Sequence, residues 1–338
     1  MKYGLDRRQL VKVSAAGAVA VAAGSALTSA LVVAQDATPE EAAAPVYGTE
    51  AGPGDGELTV THAQGETVVS LSPETVVSYD IASVDTLQTL GIALAGLPEV
   101  SGADGIIDTE GTKVVGSLFE PDYEKINEMQ PDLIIVAGRS AAVFPDLSDM
   151  APTIDLSFQS DDFVGGMDAN TRVLGSIFEK DDEVETALEA IHTRVADIQE
   201  MASSVTSGLV VMVTGGGVTA LAPETARAGR GALVYQTMGI KPPLEDLEEA
   251  THGEPISFEF LLEHDPEWLF VIDRDAATGT EDAEAAEQVL DNDIMHQTSA
   301  WQNDRIVYLN PFDWYIIVGA GLSSMNRMLD ELEAAFSK

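Results

Sequence analysis

The chain contains no cysteine. That excludes a disulfide framework, a cysteine nucleophile and a lipid-modified cysteine anchor. Cations are scarce: 17 Lys and Arg stand against 57 Asp and Glu, a net charge of −40. A field of that sign repels nucleic acid and anionic lipid, so neither is expected as a partner. The surplus carboxylates read as a strongly hydrated surface, because no D-x-D-x-D-G run marks a calcium loop. Enzyme signatures are also missing. There is no G-x-S-x-G elbow and no glycine-rich phosphate loop between a strand and a helix, and GGGV at 215–218 falls inside a strand–turn region. Catalysis is therefore not the expected activity.

What is present begins with a targeting segment. Arg7-Arg8 precedes a run of Ala, Val, Gly and Leu from Ser14 to Val33, which ends in the small-residue pattern Val32-Val33-Ala34. Paired arginines ahead of a weakly apolar run point to twin-arginine export with cleavage after residue 34. The competing reading is a retained anchor or single span. Removing residues 1–34 takes away Lys2, Arg7, Arg8, Lys12 and Asp6, which leaves 13 basic residues against 56 acidic ones. Residues 35–56, rich in Pro, Ala, Gly and Glu, read as a flexible spacer.

The remaining chain suits two domains of ordinary size. Strand-like runs at Glu57–Thr61, Thr67–Leu71, Thr75–Asp80, Ala93–Leu97, Asp132–Ala137 and Thr153–Leu156, with a helical spacing over Ser83–Leu90, predict an α/β lobe over 57–160. A long helical pattern covers Asp161–Ser204 and breaks at Lys180-Asp181-Asp182, so 161–206 is expected to connect two lobes. Leu209–Thr214, Trp268–Ile272 and Ile306–Leu309 then read as strands, and Leu322–Phe336 as a closing helix. Residues 207–338 are expected to form a second lobe of the same class as the first.

The most informative pattern is an internal repeat. Residues 121–139 read PDYEKINEMQPDLIIVAGR and 257–274 read SFEFLLEHDPEWLFVIDR. Glu124 matches Glu259, Glu128 matches Glu263, Pro131 matches Pro266, Asp132 matches Glu267, and Arg139 matches Arg274. Each unit predicts helix, turn, strand, and an arginine at the carboxyl end of the strand, where ligands of open α/β sheets bind. Two arginines so placed in a chain this acidic point to an anionic ligand, since guanidinium keeps its charge and grips planar anions with two prongs. The bland alternative is that each arginine pairs with a nearby acid, such as Asp273 or Asp275.

From about Leu58 to Phe336 the chain resembles the periplasmic substrate-binding proteins of ABC importers, in the branch that takes catecholate siderophores of the petrobactin and enterobactin type. The stretches that carry the resemblance are VGSLFEPDYEKINEMQPDLIIVAGR (115–139), THGEPISFEFLLEHDPEWLFVIDR (251–274), EQVLDNDIM (287–295) and AWQNDRIVYLNPFDWY (300–315). It implies two α/β lobes joined by a long helix, the class III periplasmic binding protein fold. It implies that Arg139, Arg230 and Arg274 line the cleft and meet the charge of a ferric siderophore; Arg227 lies one turn from Arg230, in a loop that departs from the usual pattern. It also implies that His252 and Tyr315 complete the iron shell when a bis-catecholate leaves two of six positions open, phenolate and imidazole both suiting iron. Glu124 and Glu259 would dock onto the membrane permease, which works with its ATPase. His62, His192, His264 and His296 read as structural.

The expected protein is thus an exported monomer, in the periplasm or on the cell surface, with no intrinsic cofactor and an Fe(III)-siderophore as ligand. Three rivals stand beside it. One is a haem- or corrinoid-binding protein on the same fold. Another is a two-lobed enzyme with its site in the cleft, and the third is an acidic surface protein held by an uncleaved leader.

Overall fold

A stretch whose composition reads as spacer supplies the first strand. The computed structural model describes residues 47–103, 105–157, 162–223, 230–244 and 254–338. Within it β1 (Gly48–Ala51) pairs antiparallel with β2 (Glu57–His62), which pairs with β3 (Gly65–Ser70). The spacer expected to reach residue 56 therefore gives way to the fold by Gly48. The side chains of β1 carry no strand signal because the pairing is made by backbone groups, and two of its four residues are exposed. The expected leader lies outside the described residues.

The first lobe is built on buried apolar runs. Strands β4 (Val76–Ser78) and β7 (Leu133–Val136) are buried along their whole length. Such strands fit a sheet covered on both faces. With β5 (Gly96–Leu97), β6 (Lys113–Val114) and β8 (Thr153–Asp155) they form one sheet in the order β6-β5-β4-β7-β8, all parallel. Helices α1 (Ile81–Thr89), α2 (Tyr123–Met129) and α3 (Phe144–Ser148) accompany it. The chain runs outward from β4 in one direction and returns at β7 to run outward in the other. The carboxyl ends of β4 and β7 thus flank a topological switch point, the usual place for a ligand crevice.

The helical stretch forms α4 (Phe163–Ile177) and α5 (Asp181–Ala202). Val184, Leu188, Ile191, Val195, Ile198 and Ala202 make a single buried stripe on α5. Asp181, Asp182 and Glu183 sit in its first turn, where the helix dipole favours negative charge.

The second lobe departs from the expectation that it repeats the first. Its sheet, β11-β10-β9-β12-β13, is mixed. Strands β9 (Gly208–Thr214), β12 (Trp268–Asp273) and β13 (Ile306–Leu309) are parallel, while β10 (Gly217–Ala220) and β11 (Glu254–Ile256) run antiparallel. The cause is local. Gly215 and Gly216 both hold positive φ, +53° and +75°, and turn β9 directly into β10. Two adjacent residues with positive φ make the tight hairpin turn that matches strand twist. The GGGV run is therefore the hairpin. Helices α6 (Phe258–His264), α7 (Arg274–Thr278), α8 (Ala286–Leu290), α9 (Ser299–Gln302) and α10 (Leu322–Phe336) complete the lobe.

One apolar cluster joins the lobes. It contains Val76 and Ile135 from the first sheet, Val210 and Phe270 from the second, and residues of α1, α4, α5 and α10. Helix α10 packs against α5 and also against α1 of the first lobe. Gly321, just before α10, lies tight against the first lobe: a Cβ there would stand 2.5 Å from Ala82 O and 2.5 Å from Asp85 Oδ2. Opening the lobes widely would expose this core, at about 25 cal/mol per Å² of apolar surface.

Candidate functional site: an arginine-lined cleft

The repeat folds into two copies of one local design. Asp122 caps α2 by accepting from Lys125 N, and Ser257 caps α6 by accepting from Phe260 N. Each helix ends in a left-handed residue, Gln130 (φ +50°) or Asp265 (φ +39°), followed by proline. The acid after the proline is structural in both units. Asp132 Oδ2 accepts from Thr75 N at 2.8 Å, ahead of β4, and Glu267 Oε2 accepts from Thr206 N at 2.7 Å, ahead of β9. Each unit then delivers its arginine at the carboxyl end of a central strand. Arg139 follows β7 by way of Gly138, whose φ of +48° turns the chain, and Arg274 opens α7.

A cavity of about 280 Å³ lies at the switch point. Tyr79–Ala82 form one part of its wall, Ala137–Arg139 another, and Leu118, Leu156, Ser157 and Asn170 fill in the first-lobe side. The second lobe contributes Arg230 and Ile316–Gly319. Val318 is held at φ +62° and ψ −54°, with Gly319 N donating to Ile317 O at 2.7 Å. This tight three-residue turn is strained for a β-branched residue, and such strain gathers at ligand clamps.

Three guanidinium groups converge here. Arg139 reaches across the cleft and donates to the Ile316 carbonyl. Arg230 stacks its guanidinium 4.4 Å from the centre of the Tyr315 ring. Arg274 donates from Nε to the Tyr315 hydroxyl at 2.8 Å and stands 5.7 Å from the ring centre. Among the described residues none of the three makes an ion pair; Asp273 caps α7 and Asp275 accepts from Gly215 N instead. Arg230 is 9 % exposed, and its Nε has no hydrogen-bond partner among the described residues. Burial lowers the affinity of Arg139 and Arg230 for their protons, Arg230 adding to the effect on Arg139 and Arg274 to that on Arg230. Asp80 also borders the cavity, but its carboxylate is spent on capping α1, accepting from Ser83 N at 2.9 Å and Ser83 Oγ at 2.6 Å. Burial pushes the Asp80 carboxyl up from its usual range. The site is thus a cluster of three cations, two of them partly desolvated, with no carboxylate paired to them among the described residues.

Not every expected residue faces the cavity. Arg139 and Arg230 are in its wall. Arg274 and Tyr315 are not, and reach it through Arg230, which covers the Tyr315 ring. Tyr315 itself is 5 % exposed. His252 and Arg227 lie outside the described residues. Glu124 and Glu259 are exposed in the first turns of α2 and α6, at equivalent points of the two lobes, and neither lines the cavity. The other four histidines fall on the sequence reading in part. His62 is buried and bonded to Thr67 Oγ1 at 2.8 Å, and His192 pairs with Asp168 at 2.8 Å. His296 meets Asp291 at 2.6 Å, and His264 packs on Phe260. Sequence reasoning missed the Ile316–Gly319 wall and Leu118, because apolar residues carry no mark of what they face.

The family model described as "Periplasmic binding protein" matches residues 76–311, most of the chain. The chain belongs to the periplasmic binding protein family. The two-lobed α/β fold described above agrees with that membership. This periplasmic binding protein is 33% identical over 289 residues to the petrobactin-binding protein YclQ of Bacillus subtilis, covering 83% of this chain and 89% of that one. The crystal structure of YclQ superposes with a TM-score of 0.77 at 32% identity, over 83% of this chain and 99% of that one. A TroA-like periplasmic binding protein from Xylanimonas cellulosilytica matches at 40% identity and a TM-score of 0.74, over 81% and 92% of the two chains. The periplasmic catecholate-siderophore binding protein VctP of Vibrio cholerae matches at 29% identity and a TM-score of 0.74, over 82% and 99%. Among the described residues no helix is long and apolar enough to cross a membrane.

Proposed function

We propose that this protein captures a ferric catecholate siderophore in the cleft between its lobes and delivers it to the permease of an ABC importer. The observation that carries the reading is the convergence of Arg139, Arg230 and Arg274 without an ion-pair partner among the described residues. A ferric catecholate is a compact anion with many oxygen acceptors, which suits forked, desolvated donors. The names of the relatives point to the same ligand class.

In this mechanism the complex enters the cleft, draws Arg139 from the Ile316 carbonyl and Arg230 from the Tyr315 ring, and is neutralised by them. Once Arg230 moves, Tyr315 becomes a candidate ligand for iron positions that a bis-catecholate leaves open, with His252 as the second. Arg274, already donating to the Tyr315 oxygen, then meets negative charge at that atom. The loaded protein docks through Glu124 and Glu259, whose equivalent placement suits a two-fold partner. The work is binding, not catalysis, done by an exported monomer outside the cytoplasmic membrane.

Visible absorption after loading tests the ligand class. A ferric catecholate held in the cleft gives a broad charge-transfer band that co-elutes with the protein. A Soret band after exposure to haemin, with no charge-transfer band after exposure to ferric catecholate, would overturn the assignment.

A further inference from the structure

Tyr315 sits in a wide helical turn, Phe312–Ile317, whose backbone follows π-helical geometry. Such turns are loosely held by their own hydrogen bonds and recur at functional sites. Here the turn is pinned from outside. Arg327 on α10 grips Asp313 with two prongs, Nε to Oδ2 at 2.9 Å and Nη2 to Oδ1 at 2.6 Å. The same guanidinium reaches Asp85 Oδ1 at 3.3 Å on α1 of the other lobe. Asp85 Oδ2 in turn accepts from Ser323 N and Ser324 N, at 2.8 and 2.9 Å, and so caps α10 across the lobe junction. On the far side of Asp313, Trp314 Nε1 donates to Glu331 Oε2 at 2.7 Å.

Asp313 is 0 % exposed and Asp85 2 % exposed. Two buried carboxylates around one guanidinium are a poor source of stability, since desolvation offsets most of the attraction. What the arrangement does secure is geometry. Both residues preceding Tyr315 are fixed to α10, and α10 is fixed to α1, whose first residues form the cavity wall.

We infer that Arg327 is a positioning residue for Tyr315: by bridging Asp313 to Asp85 it sets where the phenol oxygen stands relative to the opposite lobe, and so tunes the protein for ferric complexes that leave iron positions open. The inference rests on the proposed ligation by Tyr315 and adds to it a selectivity for bis- over tris-catecholates.

The test is a titration of wild type, Arg327→Met, Asp313→Asn, Tyr315→Phe and the double variant Tyr315→Phe/Asp313→Asn. The probes are a ferric bis-catecholate and a ferric tris-catecholate. Arg327→Met is expected to weaken the bis-catecholate about tenfold and the tris-catecholate less than about twofold, and to shift the charge-transfer band of the bound bis-catecholate. Asp313→Asn, isosteric and less disruptive, is expected to act in the same direction. It decides the matter if Arg327→Met does not fold. In the Tyr315→Phe background the effect of Asp313→Asn should vanish. Equal losses for both probes, or an undiminished loss in the Tyr315→Phe background, would show a merely structural role and overturn the inference. So would no loss at all beside a weakened Tyr315→Phe. A Tyr315→Phe variant that binds the bis-catecholate like wild type would instead overturn the ligation reading itself.

Discussion

The two repeat units end in the same residue and use it differently. Arg139 leaves its own lobe and takes hold of the Ile316 carbonyl on the other. Arg274 stays within its lobe and holds the Tyr315 oxygen. The local design up to that point is shared: a capped helix, a left-handed residue, proline, an acid tied to the neighbouring strand's entry, and a buried strand. What differs is the residue just before each arginine. Gly138 turns Arg139 outward, whereas Asp273 starts a helix on Arg274. A repeat therefore places equivalent charges at equivalent points, and the turn after each strand decides what the charge touches.

The largest effect that would sharpen this contrast is expected from Arg139→Met. It removes a desolvated cation from the cavity wall and should weaken ferric catecholates of either kind about 100-fold, measured by fluorescence titration. A loss no greater than that of Arg274→Met would erase the difference between the two arginines.

Next comes the acid that anchors the second-lobe turn. Burial pushes the Glu331 carboxyl up from 4.5 to about 7, with Asp313 adding to the rise and Trp314, Asn310 and Arg327 opposing it. The folded protein then holds this proton to higher pH than the unfolded chain does. Its contribution to stability is complete below about pH 4.5 and declines as the pH rises to about 7. Between those limits wild type should lose on the order of 2 kcal/mol relative to Glu331→Gln, read as the difference between their unfolding free energies across that range. Parallel stability curves for the two proteins would contradict it.

Of similar size is the effect at the lobe junction. Gly321→Ala forces a methyl group against Ala82 O and Asp85 Oδ2 and should cost about 2 kcal/mol in chemical denaturation. A neutral substitution would mean that the lobes are not pressed together there.

The smallest expected effect is that of Arg274→Met, about tenfold on a ferric bis-catecholate and less on a tris-catecholate, because Arg274 reaches the cavity only through Tyr315 and Arg230. Equal losses on both ligands would place Arg274 in direct contact with the anion.

Much of the first-lobe site could be read before any fold was known. The Glu-to-Arg spacing, the proline and the apolar strand give away a helix–turn–strand unit because each is a local signal. The sheet of the second lobe was legible only in its parallel part: the hairpin at Gly215-Gly216 reverses the chain through two glycines that a sequence reader can equally take for a loop. The bridge from Asp85 to Arg327 spans 242 residues and leaves no periodic trace. Buried charges at such separations look like ordinary surface residues until the chain is folded. The π-helical turn that holds Tyr315 is equally hidden, since the residues tying it to α10 stand 14 and 17 positions away and leave no local signal.

The central claim is the proposal that three guanidinium groups, without an ion-pair partner among the described residues, receive an iron-bearing anion. Quenching of intrinsic tryptophan fluorescence by a ferric bis-catecholate, a ferric tris-catecholate, the metal-free catecholate and haemin tests it most directly. Saturable, submicromolar binding of a ferric catecholate, much weaker for the metal-free form and for haemin, is the predicted result. The absence of submicromolar binding by either ferric catecholate would contradict the account.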